Sequence, residues 1–180
     1  MAAARLSDGT LVKPAVEQVW SWLGEVPDPE IPVISLTDLG IIRDVGYDGG
    51  TLVVTVTPTY SGCPATSVIN LEIEKRLRRE GVEDLRLKRQ LTPPWTTDWI
   101  KPEARDALKA YGIAPPIDGT AADGVLAGRI ARLTGANLTV ECPRCGSTHT
   151  EMVSRFGSTP CKAAYRCRDC LEPFDYFKCI

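Results

Sequence analysis

Two cysteine pairs, Cys142-Pro-Arg-Cys145 and Cys167-Arg-Asp-Cys170, constrain this chain more than any other feature. Two residues between cysteines let both thiolates of a pair face one ion while nearby backbone amides donate to the sulfurs. Two such knuckles complete a tetrahedron, the coordination of structural zinc. The insert between them, residues 146–166, is twenty-one residues long, slightly more than the usual spacing of about 15–20. It contains Phe156-Gly157-Ser158-Thr159, which suits a hairpin turn. The run EPFDYFKCI reads as a last strand. Some forty residues bury too little apolar surface to fold alone, so bound metal is expected to supply much of the folding free energy, on the order of 10 kcal/mol. Soft thiolates also suit iron, so a redox or Fe–S site stays open beside zinc.

The remaining cysteines are Cys63, Cys161 and Cys179. Clustering of six of the seven cysteines from Cys142 onward, in a chain whose first residues lack an apolar export segment, favours metal ligation over disulfides. No apolar run reaches the roughly 18 residues of a membrane span, and a cytoplasmic protein without membrane association is expected. Cys161 and Cys179 are either inert thiols or exchangeable extra ligands. His149, the only histidine, is expected in a surface turn.

The 180 residues suffice for a compact domain plus a small module, and 43% apolar with 24% charged residues excludes global disorder. Residues 138–180 hold six Lys/Arg (Arg144, Arg155, Lys162, Arg166, Arg168, Lys178) against five Asp/Glu (Glu141, Glu151, Asp169, Glu172, Asp175), a net of +1. So small an excess argues against nucleic acid as a partner.

Upstream, Val16, Val19, Trp20 and Leu23 recur at helical spacing, predicting a helix over 13–26 with Pro14 in its first turn. Pro27, Pro29 and Pro32 then forbid regular helix. IIRDVGY and TLVVTVT flank Asp48-Gly49-Gly50, a hairpin signature. A second helix is expected from Pro64 to Gly81, with Ile69, Ile73 and Leu77 inward and its Lys/Arg run paired with Glu72, Glu74 and Glu80. Leu85, Leu87 and Leu91 alternate with polar residues as in a half-exposed strand, and a further helix is expected from Pro102 to Tyr111. The order helix, strand, strand, helix, strand makes a small α/β domain with an open sheet, so the whole chain is expected to be α+β, with a β-rich zinc ribbon after that domain. The expected boundaries are 1–112 for the first domain, 113–137 for a linker and 138–180 for the ribbon. Trp95 and Trp99 either plug the open sheet or form a partner surface.

Cys63, in TPTYSGCP between the second strand and the second helix, is expected near a helix N-terminus, where the dipole and amide donors favour thiolate. It is either a metal-handling or nucleophilic thiol, or a small residue closing a turn. Asp28, Glu30 and Asp38 either cap turns or ligate metal beside it. No Ser-His-Asp or Cys-His set can be assembled, so no catalytic residue is expected and catalysis by this chain alone is not anticipated.

The segments DPEIPVISLTDLGIIRDV, TPTYSGCPA and LTPPWTTDWI resemble the SufT-type assembly factors of iron–sulfur and metal centres. Together with CPRCGS and FGSTPCKAAYRCRDCLEPFDYFK, the chain resembles the PaaD family of phenylacetyl-CoA epoxidase systems. The resemblance implies an accessory protein of aerobic phenylacetate breakdown whose partners are the other epoxidase subunits, among them a di-iron oxygenase and a reductase. It implies a reactive cysteine at Cys63 that transiently holds iron or an Fe–S unit, a loop acid at Asp38, and weaker roles for Glu30 and Thr57 or Thr59. A homodimer supplying two Cys63 thiolates to one cluster is a further expectation, as is a purely structural adaptor as the second reading.

Overall fold

The computed structural model describes residues 13–60, 62–116 and 139–178. The chain forms two compact units that divide between Pro94 and Trp95.

The first unit runs α1 (Val16–Gly24), β1 (Ile42–Asp48), β2 (Thr51–Val56), α2 (Thr66–Arg79) and β3 (Leu85–Arg89), the order expected. β1 and β2 pair antiparallel around Gly49-Gly50, with Asp48 opposite Thr51. Gly49 takes a φ of 63°, the left-handed geometry that a two-residue hairpin turn demands and that glycine adopts without a Cβ clash. β3 lies parallel to β2, with Val54 opposite Leu87, so β2, α2 and β3 make a crossover unit and β2 is central. Leu52, Val54 and Val56, alternating along β2, are buried, as are Val19 and Leu23 of α1 and Ile69, Ile73 and Leu77 of α2. Arg76 ties the end of α2 to Glu80 and, at 2.9 Å, to Glu25 just past α1.

Three local expectations need correcting. α1 starts at Val16 with Pro14 ahead of it. α2 starts at Thr66, so Pro64 stands outside the helix rather than opening it. β3 ends at Arg89, which leaves Leu91 49% exposed.

The second unit begins with a 3-10 turn (Thr97–Trp99) and α3 (Pro102–Tyr111). Gly112, at φ 99°, ends α3 in the left-handed conformation. β4 (Ile113–Ala114) follows at once and pairs parallel with β7 (Pro173–Phe177). β6 (Lys162–Cys167) pairs with β7 and with β5 (Thr150–Ser154), both antiparallel, in the order β4-β7-β6-β5. Ala114, Val140, Cys142, Ala163, Tyr165, Cys167, Phe174 and Tyr176 form one buried cluster. Within it Tyr165 stacks on Phe174 (centroids 5.8 Å) and meets Tyr176 edge-on (5.6 Å).

The division therefore falls after Pro94, not after Gly112. Residues 95–116 belong with the cysteine-bearing sheet because Trp95 is buried against Phe177 (centroids 6.1 Å) and β4 is a strand of that sheet. Arg105 fastens the segment by donating to the carbonyls of Thr97 (2.8 Å) and Pro116 (2.6 Å). Trp95 is thus core of the second unit. Of the expected linker, residues 117–137 lie outside the described residues.

Candidate functional site

Each unit carries one group of candidate residues. In the second unit, one cysteine pair precedes β5 and the other spans the end of β6 and the turn into β7. The Sγ atoms of Cys142, Cys145, Cys167 and Cys170 all lie within 4.8 Å of one another. Cys142 is 3.8 Å from Cys170 and Cys145 is 3.6 Å from Cys167. A metal–sulfur bond of about 2.3 Å in a regular tetrahedron separates the sulfurs by about 3.8 Å. The group fits a single four-coordinate ion, whereas thiolates divided among the irons of a cluster would stand further apart.

Cys142 and Cys167 are buried while Cys145 and Cys170 are exposed, so the centre lies at the rim of the core cluster. Backbone closure is local: the Cys142 amide donates to the Ser147 carbonyl (2.8 Å) and the Gly146 amide to the Cys142 carbonyl (2.9 Å). Gly146 has φ 74° and Leu171, its counterpart after Cys170, has φ 65°. The second knuckle therefore holds a leucine in a conformation that favours glycine. Asp169 joins the knuckles, accepting from the Ser147 hydroxyl and pairing with His149 Nδ1 at 2.9 Å. His149 is accordingly an exposed partner of a knuckle aspartate, outside the sulfur group, in the surface role expected of it.

Without an ion the thiols hold protons unequally. Amide donors from Cys170 and Asp169, the former the larger effect, outweigh desolvation and bring Cys167 down to about 6. At Cys145 the Ser147 amide acts downward, but hydrogen bonds with the neighbouring thiols, Cys170 foremost, and desolvation prevail and push it up to about 12. Cys170 is raised as well, against the amide of Glu172. A bound cation would replace those protons.

Cys161 stands just before β6, half-buried, with its Sγ 3.0 Å from Thr159 Oγ1. It is not among the four clustered sulfurs. Cys179 lies outside the described residues.

In the first unit, Cys63 is partly exposed in the turn between β2 and α2. Its amide donates to the Tyr60 carbonyl (3.2 Å), and its carbonyl accepts from the amide (3.2 Å) and hydroxyl (2.8 Å) of Thr66. The thiol therefore sits a turn ahead of the first helical residue. Asp38 lies in the loop that leads into β1, where Ser35 donates to its carboxylate (2.6 Å) and its own amide donates back to Ser35 Oγ (3.1 Å). β1 starts where β2 ends, and the Thr57 amide donates to the Ile41 carbonyl (2.8 Å). The antiparallel register thus brings the Asp38 loop and the Cys63 turn to the same end of the sheet.

The other acids differ in role. Asp28 is buried and accepts from the amides of Glu30 and Ile31, each at 2.9 Å, which makes it the cap of the proline-rich turn. Glu30 is exposed and contributes its amide to that turn. Thr57 and Thr59 are buried, and Thr57 Oγ1 has no hydrogen-bond partner among the described residues. Sequence reasoning had no signal for that orphan hydroxyl, because only the register at the end of β2 buries it.

Comparison with known proteins follows the division in two. A family model for iron–sulfur cluster assembly proteins matches residues 16–84, and one for the PaaD zinc beta ribbon domain matches residues 128–178. An Fe–S protein maturation auxiliary factor of Bacillus subtilis is 35% identical over 94 residues, which is 51% of this chain and 91% of that protein. A similar auxiliary factor of Porphyromonas gingivalis is 36% identical over 91 residues, 49% of this chain and 85% of that one. A protein of Escherichia coli assigned as the D component of 1,2-phenylacetyl-CoA epoxidase is 47% identical over 173 residues, which covers 95% of this chain and 97% of its relative. Because that match runs through both units and includes both cysteine knuckles, the chain belongs to the PaaD family of 1,2-phenylacetyl-CoA epoxidase components.

Proposed function

We propose that this chain is an accessory component of a phenylacetyl-CoA epoxidase system that matures or delivers iron, or an Fe–S unit, to the partner subunits through Cys63. The observation that carries the reading is Cys63, a partly exposed residue held in a turn at the same sheet end as Asp38, in a region matched by an iron–sulfur assembly family. A thiol that handles a metal in passage needs access and few competing ligands. A partly exposed cysteine with one carboxylate-bearing loop at its end of the sheet meets that need. Iron is then cargo: Cys63 supplies the thiolate, Asp38 an oxygen donor or a proton acceptor, and Glu30 a peripheral carboxylate.

The four ribbon cysteines have a separate duty, to hold one zinc ion that closes the second unit. The sulfur spacing and the zinc ribbon match support that assignment. Zinc would contribute no electron transfer; it would fix the loops around Ser147 and Asp169 and so present the ribbon surface to other subunits. Two chains sharing one cluster through their Cys63 thiolates is the dimeric form of the same reading.

Anaerobic reconstitution of wild type and Cys63→Ser with ferrous iron and sulfide tests this. Wild type is expected to load iron beyond the zinc stoichiometry and the variant is not. Equal loading of both would remove Cys63 from the mechanism. The second reading, a structural adaptor, draws on the exposed apolar residues of the ribbon, Met152, Val153 and Phe156. It predicts a stable stoichiometric complex with the oxygenase and an unaltered complex with Cys63→Ser.

A further inference from the structure

Among the described residues, β5 is an edge of the second sheet, paired with β6. The strand and the turn that follows it are unusually apolar for a surface: Met152 is 51% and Val153 65% exposed in β5, and Phe156, two residues past its end, 69%. Chance singletons on a surface need no explanation, but three large apolar residues within five positions on one edge do. The register shifts between Met152, opposite Tyr165, and Ser154, opposite Ala164, so Val153 is the extra residue of a bulge. A bulge interrupts the ladder and discourages another strand from adding edge to edge. Whatever covers this patch therefore meets its side chains more than its backbone.

Charge indicates what that is. Around the apolar residues stand Arg155, Lys162, Arg166, Arg168 and Lys178 against two carboxylates, Glu151 and Asp175, an excess of three positive charges (5 − 2), with Asp175 already held by Lys162 at 3.5 Å. Glu151 is already engaged by Arg168 through two donors, at 3.1 and 2.6 Å. Lys178 lies over the Phe156 ring at 5.0 Å and donates to the Arg155 carbonyl (3.1 Å), which holds Phe156 beside the cations. Arg155 and Arg166 have no ion pair among the described residues. Two copies of so positive a patch repel each other, which disfavours self-association through it.

We infer that the β5 edge, with Met152, Val153 and Phe156 as anchors and Arg155 and Arg166 as charge readers, is the docking surface for an acidic, apolar segment of a partner in the epoxidase system. The inference rests on the accessory role proposed above and says which face of the chain performs it. Apolar burial at the centre supplies affinity, while the rim arginines supply approach rate and choice of partner.

The test uses the full-length, zinc-loaded chain and the purified oxygenase and reductase subunits of its own system, with binding followed by biolayer interferometry at two salt concentrations. The double variant Val153→Glu with Phe156→Glu is expected to weaken binding by about tenfold or more. Arg155→Glu is expected to slow association and flatten its salt dependence. Val68→Glu, on the exposed face of α2 in the other unit, serves as the control and is expected to bind as wild type. Zinc content and circular dichroism report whether each variant has folded; should the double variant misfold, the single exposed-site change Val153→Glu takes its place. If wild type binds and the β5 variants bind equally well, the docking surface is elsewhere although the accessory role stands. If wild type binds none of the subunits, both fail. If sedimentation shows a dimer that the β5 variants abolish, a second copy occupies the patch and the acidic partner is wrong.

Discussion

Asp28 and Gly157 show how much of the chain's stability rests on single contacts. The Asp28 carboxylate is buried and accepts from two backbone amides, so Asp28→Ala removes the acceptor of the Glu30 amide and leaves the Ile31 amide only its 3.3 Å bond to the carbonyl of residue 28. A loss of about 2 kcal/mol in the first unit is expected from chemical denaturation, with Asp28→Asn, which keeps an acceptor oxygen, losing less. At Gly157 a Cβ would lie 2.6 Å from Asp175 Oδ1 and 3.3 Å from the Lys162 carbonyl carbon. Asp175 is held by Ser158 (3.1 Å) and by the buried Lys162 (3.5 Å), so it has little room to retreat. Gly157→Ala is therefore expected to lower the thermal midpoint of the second unit, at a cost of roughly 1–3 kcal/mol. An unchanged midpoint would mean that the β5–β6 turn is more pliable than its contacts imply.

Among the elements, the paired knuckles link sequence to stability most directly. Cys145 and Cys170 hold their protons at neutral pH while Cys167, at about 6, has largely lost its own. Metal binding at pH 7 must then release protons, so affinity rises with pH. Competition with a zinc-chelating dye across pH 6–8 is expected to show binding tightening by about tenfold or more per pH unit, and weakening further below pH 6 as Cys167 takes up its proton. A flat profile would contradict the tetrathiolate assignment. The knuckles were legible in the sequence because the short spacing itself carries the geometry. The β1–β2 hairpin was legible for a similar reason, since Gly49-Gly50 and the alternation around it are local. The parallel pairing of β2 with β3 depends on residues more than thirty positions apart, and no local pattern announces it. β4 is two residues long, too short to show any periodicity, so its membership of the second sheet was invisible, and with it the placement of Trp95.

At the scale of the molecule, the proposed function gives each unit its own task, metal passage at Cys63 in the first and a zinc-closed surface in the second. Asp38 and Cys63 are twenty-five residues apart in sequence, and only the antiparallel register of β1 with β2 brings their loops to one end of the sheet. Resemblance to a family pointed to both residues, whereas composition and spacing left Cys63 open between a functional thiol and a turn residue. The division of labour also implies that zinc and iron respond independently. Cys170→Ser is expected to lower zinc content from one per chain while iron loading at Cys63 persists, as elemental analysis of anaerobically purified protein would show. Loss of both metals together would mean that the two units do not act separately.

Passage of metal from Cys63 to partner subunits would govern maturation of the oxygenase in cells producing either wild type or Cys63→Ser. Oxygenase purified alongside the variant is expected to carry markedly less iron and activity, although the variant retains its zinc and still binds its partners. Fully metallated, active oxygenase from cells that contain only Cys63→Ser would contradict it.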